Sequence, residues 1–162
     1  MGGCLGMGLW YRQFFMGRLE ALRNLQSILE MLISEIRYGK ATLPECCGNL
    51  APRLQEPYSG CFRQISDRME ENTGVMFGQV FREQMEECMR ELPLMDQDKS
   101  CILELFGDNG FGDERMQIRS IEQCRELLIS TKDRLERENT EKCRMAVGLG
   151  AMSGLLLVII LV

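Results

Sequence analysis

Apolar side chains recur every three or four positions at Leu19, Leu22, Ile28, Leu29, Leu32, Ile33 and Ile36. That spacing lays them on one stripe of an α-helix from 18 to about 38, closed by Gly39 in a left-handed turn. The run Thr42-Leu43-Pro44-Glu45 predicts a second helix to about 54: Thr42 caps it, proline fits its first turn, and Glu45 completes a capping box. Pro52 and Pro57 bracket a turn, and Phe62, Ile65 and Met69 mark a third helix that stops near 72–74. Thr73 then caps a fourth helix over 75–92, with Phe77, Phe81, Met85, Cys88 and Met89 as its apolar positions. Pro93 breaks that pattern, and Asp96 caps a fifth helix whose Ile102, Leu103, Leu105 and Phe106 lead into Gly107. Gly107, Gly110 and Gly112 form a loop, and Asp113 caps a sixth helix without proline or glycine until Gly148, in which Ile121, Cys124, Leu128, Thr131 and Leu135 keep helical spacing. No stretch alternates as a strand would. The chain reads as all-α, an antiparallel bundle of about six helices, with Leu22, Leu29, Ile36, Phe62, Phe77, Phe81, Ile102, Phe106, Ile121 and Leu128 in its core.

The periodicity gives way at the end. Residues 145–162 (MAVGLGAMSGLLLVIILV) carry no charge, and as a helix they measure roughly 27 Å, close to the roughly 30 Å hydrocarbon core of a bilayer. We expect a C-terminal transmembrane anchor over 141–162. Lys142 and Arg144 directly precede the apolar run 145–162, which places the preceding domain in the cytoplasm. Before them, 132–144 is a charge run with opposite signs four apart (Lys132 and Glu136, Arg134 and Glu138, Arg137 and Glu141), the mark of a solvated helix carrying its own ion pairs. Inside the apolar run Ala146, Gly150 and Gly154 recur every four residues, a small-residue face that lets another membrane helix approach closely.

Composition narrows the chemistry. The chain has 162 residues, a net charge of −5 and no histidine. An acidic domain has no face for nucleic-acid phosphates, and without histidine the commonest general base and metal ligand are both missing. The 8 cysteines include no CxxC pair and lack zinc-ligand spacing, so we read them as reduced thiols packed as small apolar groups. Neighbouring carboxylates such as Glu70 with Glu71 and Glu86 with Glu87 point about 100° apart on a helix and do not converge as an acid–base pair. The reading is therefore of a non-enzyme with no catalytic residue, metal or cofactor.

Residues 25–45 (LQSILEMLISEIRYGKATLPE) resemble the first block of the stage III sporulation protein AB family, LxxLExEIxYGxTPLPEA. The matches are Leu29, Glu35, Ile36, Tyr38, Gly39, Leu43, Pro44 and Glu45, with Ala41-Thr42 where the family usually has Thr-Pro. Residues 103–117 (LELFGDNGFGDERMQ) are similar to its second block, LxxFGxxLGxSDxxxQ, at Phe106, Gly107, Gly112, Asp113 and Gln117, with Phe111 in place of leucine. The resemblance implies a helical domain like the cytoplasmic domains of the type II secretion F platform protein. It also implies a place in the channel between mother cell and forespore, on the mother-cell side of the outer forespore membrane, and a partner in the cytoplasmic ATPase of that apparatus, stage III sporulation protein AA. Homo-oligomerisation stays open. The family begins with a full membrane helix, whereas residues 1–16, broken by Arg12, are too short to span; we take them as the remnant of such a segment or a linker before a bundle over 17–140. The opening MGGCLG lacks the Ser or Thr at position six that myristoylation requires.

Around the first helix-to-helix turn, Glu35, Tyr38, Gly39, Leu43, Pro44 and Glu45 are the candidate partner-binding residues. The local alternative has Gly39, Pro44 and Glu45 shaping the turn and Tyr38 packed with its hydroxyl satisfied. Gly107, Gly112 and Asp113 read as a turn and a cap; a phosphate-binding loop would need GxxxxGK[ST] after a strand. The residues without the resemblance also fit a tail-anchored scaffold or signalling domain unrelated to secretion.

Overall fold

The computed structural model describes residues 3–71, 74–107 and 113–162, without the side chains of 3–8, Cys143 and Ala146. Expectations for Thr73, Gly110, Phe111 and Gly112, and for the side chains of Cys4, Gly6, Cys143 and Ala146, lie outside the described residues. The chain divides into two compact units, Met1–Ile129 and Ser130–Val162.

In the described residues the first unit is built from helices alone: α1 (Gly3–Gly39), α2 (Leu43–Leu50) continued by a 3-10 turn (Ala51–Arg53), α3 (Tyr58–Glu71), α4 (Phe77–Met89), α5 (Asp96–Leu103) and the start of α6 (Glu114–Leu161). The stripe on α1 is the spine of the core, with Leu22, Leu25 and Leu32 only 1% exposed. All ten residues expected in the core are buried. Consecutive helices pack on one another from α1 through α5. Between α1 and α6, Glu30 pairs with Arg125 and Arg37 with Glu122, each at 3.4 Å. Numbers rising along α1 thus meet numbers falling along α6, which makes the two helices antiparallel.

Helix boundaries depart from expectation where backbone geometry outweighs side-chain preference. Helix α1 begins near residue 3 instead of 18, because a glycine inside a helix costs only about 1 kcal/mol and the residues between these glycines are mostly good helix formers. Its C-terminal left-handed residue is Lys40, at φ 48, and not Gly39, which stays helical. Helix α4 starts at Phe77, where the Met76 carbonyl accepts from Gln79 and Val80 at 3.1 and 3.3 Å. Gly74, at φ 130, turns the chain just before it, in a conformation open chiefly to glycine. The same helix stops at Met89, short of 92, and passes into a turn in which the Leu92 N–H donates to the Met89 carbonyl at 3.2 Å. Asp96 is the first helical residue of α5 and not its cap; Asp98 instead reaches back to accept the Met95 N–H at 3.3 Å. Asp113 does occupy the cap position of α6, its carbonyl accepting from Met116 and Gln117 at 2.8 and 3.1 Å.

Four rings close the α3–α4–α5 side of the core. Phe81 lies 4.8 Å from Phe106, 5.8 Å from Phe77 and 6.5 Å from Phe62. Beside them Gly78 lets the first turn of α4 pass against the carbonyls of Phe106 and Gly107, with no room for a Cβ. Gly78→Ala is therefore expected to destabilise the domain by about 1–3 kcal/mol, read as a lowered urea midpoint with an unchanged slope. An unshifted midpoint would show that α4 is not seated there.

The second unit is the remainder of α6. From Arg144 to the end every described side chain is exposed, and an 18-residue window reaches a mean hydropathy of 2.1 with none of it buried. Its polar hydroxyl is satisfied within the helix, Ser153 donating to the Gly150 carbonyl at 3.0 Å. This is a helix long and apolar enough to cross a membrane, with its backbone bonds made internally as hydrocarbon demands.

Candidate functional site

The turn between α1 and α2 carries the first sequence block, and its residues separate into three roles. Leu43 is buried at 8% exposure, and Pro44 beside it is half-buried. Glu45 fastens the turn: its carboxylate accepts the Thr42 backbone N–H at 2.8 Å and the Thr42 hydroxyl at 3.0 Å. Those bonds, the backbone one first, hold the Glu45 carboxyl below its ordinary value. Their support is present above the unfolded carboxylate range and fades as pH falls through the lowered value. Beneath them Cys46 is an inert thiol, pushed up to about 11 by burial first and then by the charges of Glu35 and Glu45.

Glu35 and Tyr38 part company. Glu35 pairs with Arg53 of the 3-10 turn at 3.2 Å, which ties the end of α1 to the end of α2. Tyr38 is 78% exposed, so its ring does not pack into the domain as the local alternative had it. Gly39 carries no left-handed strain; a Cβ there would meet the Glu35 carboxylate at 3.4 Å, an ordinary contact.

Beside the α1–α2 turn the surface opens into a groove of about 490 Å³, lined by Ile36, Leu43 and Pro44 from the first block, Met69 and Phe77, and Glu114 and Gln117 at the start of α6. Two blocks whose lining residues Pro44 and Glu114 stand 70 positions apart in sequence thus share one concavity, apolar at its floor and polar at the α6 rim. Met69 and Phe77 carry helical spacing and read from sequence as plain core; only the fold shows that they also floor the groove. Among the described residues no cluster of three or more His, Cys, Asp or Glu side chains could hold a metal.

Two further residues escaped the sequence reading. Arg18 and Asp98 are 6% and 4% exposed and form a buried pair, with Nε and Nη2 of Arg18 at 3.2 and 2.9 Å from one carboxylate oxygen. The available signal was the position of Arg18, one turn ahead of Leu22 on the apolar stripe, where a charge demands a partner. In the membrane-length helix, Gly150 and Gly154 have nothing within 4 Å of where a Cβ would stand, so this part of the small-residue face is uncovered.

Comparison with known proteins agrees with this architecture. Stage III sporulation protein AB of Bacillus subtilis (strain 168) is 24% identical over 155 residues, which cover 95% of this chain and 90% of that protein. A solved structure of a stage III sporulation protein AB superposes with a TM-score of 0.67 at 21% identity, covering 77% of this chain and 98% of the other, and shares the helical fold. The family model described as stage III sporulation protein AB matches residues 1–162. Whole-chain match, common fold and both sequence blocks agree: the chain belongs to the stage III sporulation protein AB family, and its role is in sporulation.

Proposed function

We propose that the protein is a non-enzymatic membrane platform of the channel between mother cell and forespore. It sits on the mother-cell side of the outer forespore membrane and docks the cytoplasmic ATPase of the apparatus, stage III sporulation protein AA. The observation that carries this reading is the meeting of both sequence blocks at one groove. The first block also presents the exposed Tyr38, and an exposed tyrosine is the kind of anchor that dominates protein interfaces. The apolar helix anchors the bundle, and Lys142 and Arg144 set its cytoplasmic orientation. The Ala146, Gly150 and Gly154 face is open to a second membrane helix, from another channel component or a second copy.

Tyr38→Ala is expected to weaken binding of the ATPase to the full chain in lipid nanodiscs by about tenfold or more, as befits a central aromatic anchor. Its unfolding midpoint stays near wild type, because an exposed side chain is usually worth less than about 0.5 kcal/mol. Glu35→Lys sets two cations against each other at Arg53 and is expected to lower both stability and binding. Surface plasmon resonance paired with thermal unfolding separates the two variants. Wild-type affinity in Tyr38→Ala would remove the turn from the interface, and absence of ATPase binding by the native chain would favour a tail-anchored scaffold with another partner.

A further inference from the structure

Six described cysteines are free, and four of them stand in cross-helix pairs. Cys61 on α3 and Cys88 on α4 line one cleft, and Cys101 on α5 and Cys124 on α6 line another. The Cys61 sulfur lies 3.5 Å from that of Met85, which is one turn from Cys88 on the same face of α4. Each pair joins a buried thiol (Cys61, Cys124) to a half-buried one (Cys88, Cys101) across the wall of one cleft, and the titration of each thiol is set first by its partner. We propose that Cys61–Cys88 and Cys101–Cys124 are oxidisable dithiols, each converted by a peroxide into a disulfide that staples neighbouring helices.

The chemistry is defined by which thiol water and oxidant can reach. In each pair the outer sulfur, Cys88 or Cys101, is the nucleophile. The hydrogen bond from its buried partner holds it below the ordinary thiol value, although burial first, and then Glu56 for Cys88 and Asp98 and Glu104 for Cys101, oppose this. The buried partner is pushed up by that same bond and by burial, so it stays protonated. The outer thiolate attacks one oxygen of hydrogen peroxide, the O–O bond breaks, and hydroxide leaves behind a sulfenic acid. The inner sulfur then attacks the sulfenic sulfur, its proton joins the departing hydroxyl, and water is released as the S–S bond forms. Two thiols are oxidised, one peroxide is reduced, and the products are one disulfide and two waters. Cys46 and Cys47 are fully buried, and Cys47 is pushed far up by burial, so they serve as unreactive internal references.

The test is peroxide treatment of the full chain in nanodiscs, followed by alkylation and mass spectrometry of unreduced and reduced tryptic digests. Peptides holding Cys61 and Cys88 are expected as a crosslinked species, as are those holding Cys101 and Cys124, and both separate on reduction. Cys46 and Cys47 remain alkylatable, and the oxidised chain melts several degrees above the reduced one. Cys88→Ser removes only the first crosslink and leaves Cys61 alkylatable after unfolding. The wild-type map decides the matter even should that variant fail to fold. Recovery of Cys88 or Cys101 as sulfinic acid or as an adduct with an added small thiol, with its inner partner untouched, overturns the proposal for that pair.

Discussion

Arg18→Met is expected to be among the most damaging single changes in the domain, costing about 3–5 kcal/mol. The magnitude arises from what it leaves behind. Asp98 is 4% exposed, and the oxygen that receives both guanidinium contacts also accepts the Met95 N–H at the start of α5. Removing the cation strands a carboxylate in the interior with one backbone donor for company. The intact pair is worth much less than this loss, because burying two charges costs nearly as much as their attraction returns. Arg18→Met combined with Asp98→Leu is therefore expected to recover most of the stability, short by about 1 kcal/mol for the lost cap acceptor. Urea unfolding of the four proteins in a double-mutant cycle reads this directly. Single variants within 1 kcal/mol of wild type would show that the pair is not buried in solution. The pair fixes where α5 meets α1, and α5 leads into the second sequence block, so its loss also loosens the groove.

Sequence periodicity made the core legible because each helix has one face to bury. Leu22, Leu29 and Ile36 recur at seven, and Phe77 and Phe81 at four, so their inward direction needs no knowledge of neighbours. What escaped depended on a second element. Arg18 is in register with that stripe, but only its contact with Asp98, eighty residues away, explains a charge there. Lys40 takes the left-handed residue because α1 runs through Gly39, one position beyond the expected end at 38. The extension of α1 back to residue 3 escaped because 1–16 carries no apolar stripe continuous with that of 18–38 and read as a membrane remnant or linker; its glycines act only as weak helix formers. At the turn, composition left Glu35 and Tyr38 equivalent; the structure places one in an ion pair with Arg53 and the other in solvent.

Phe81→Ala is expected to match Arg18→Met in stability and to differ from it in what it does to the groove. Its ring is 2% exposed and contacts three others: Phe106 edge-on at 4.8 Å, Phe77 tilted at 5.8 Å and Phe62 edge-on at 6.5 Å. Truncation removes a buried ring and three aromatic pairings and leaves a cavity that helices fixed on both sides cannot collapse, a loss of about 3–5 kcal/mol. Phe81→Leu fills most of that volume and is expected to cost less than about 2 kcal/mol. Phe77 lines the groove, and Phe106 immediately precedes the Gly107 of the second block. The alanine variant is therefore expected to lose near-ultraviolet circular dichroism and ATPase affinity together, while Tyr38→Ala loses affinity alone. Comparing the two separates a groove that must be rigid from a side chain that must be present: full affinity in a Phe81→Ala protein that remains folded at the assay temperature would show that the partner reads Tyr38 without the groove.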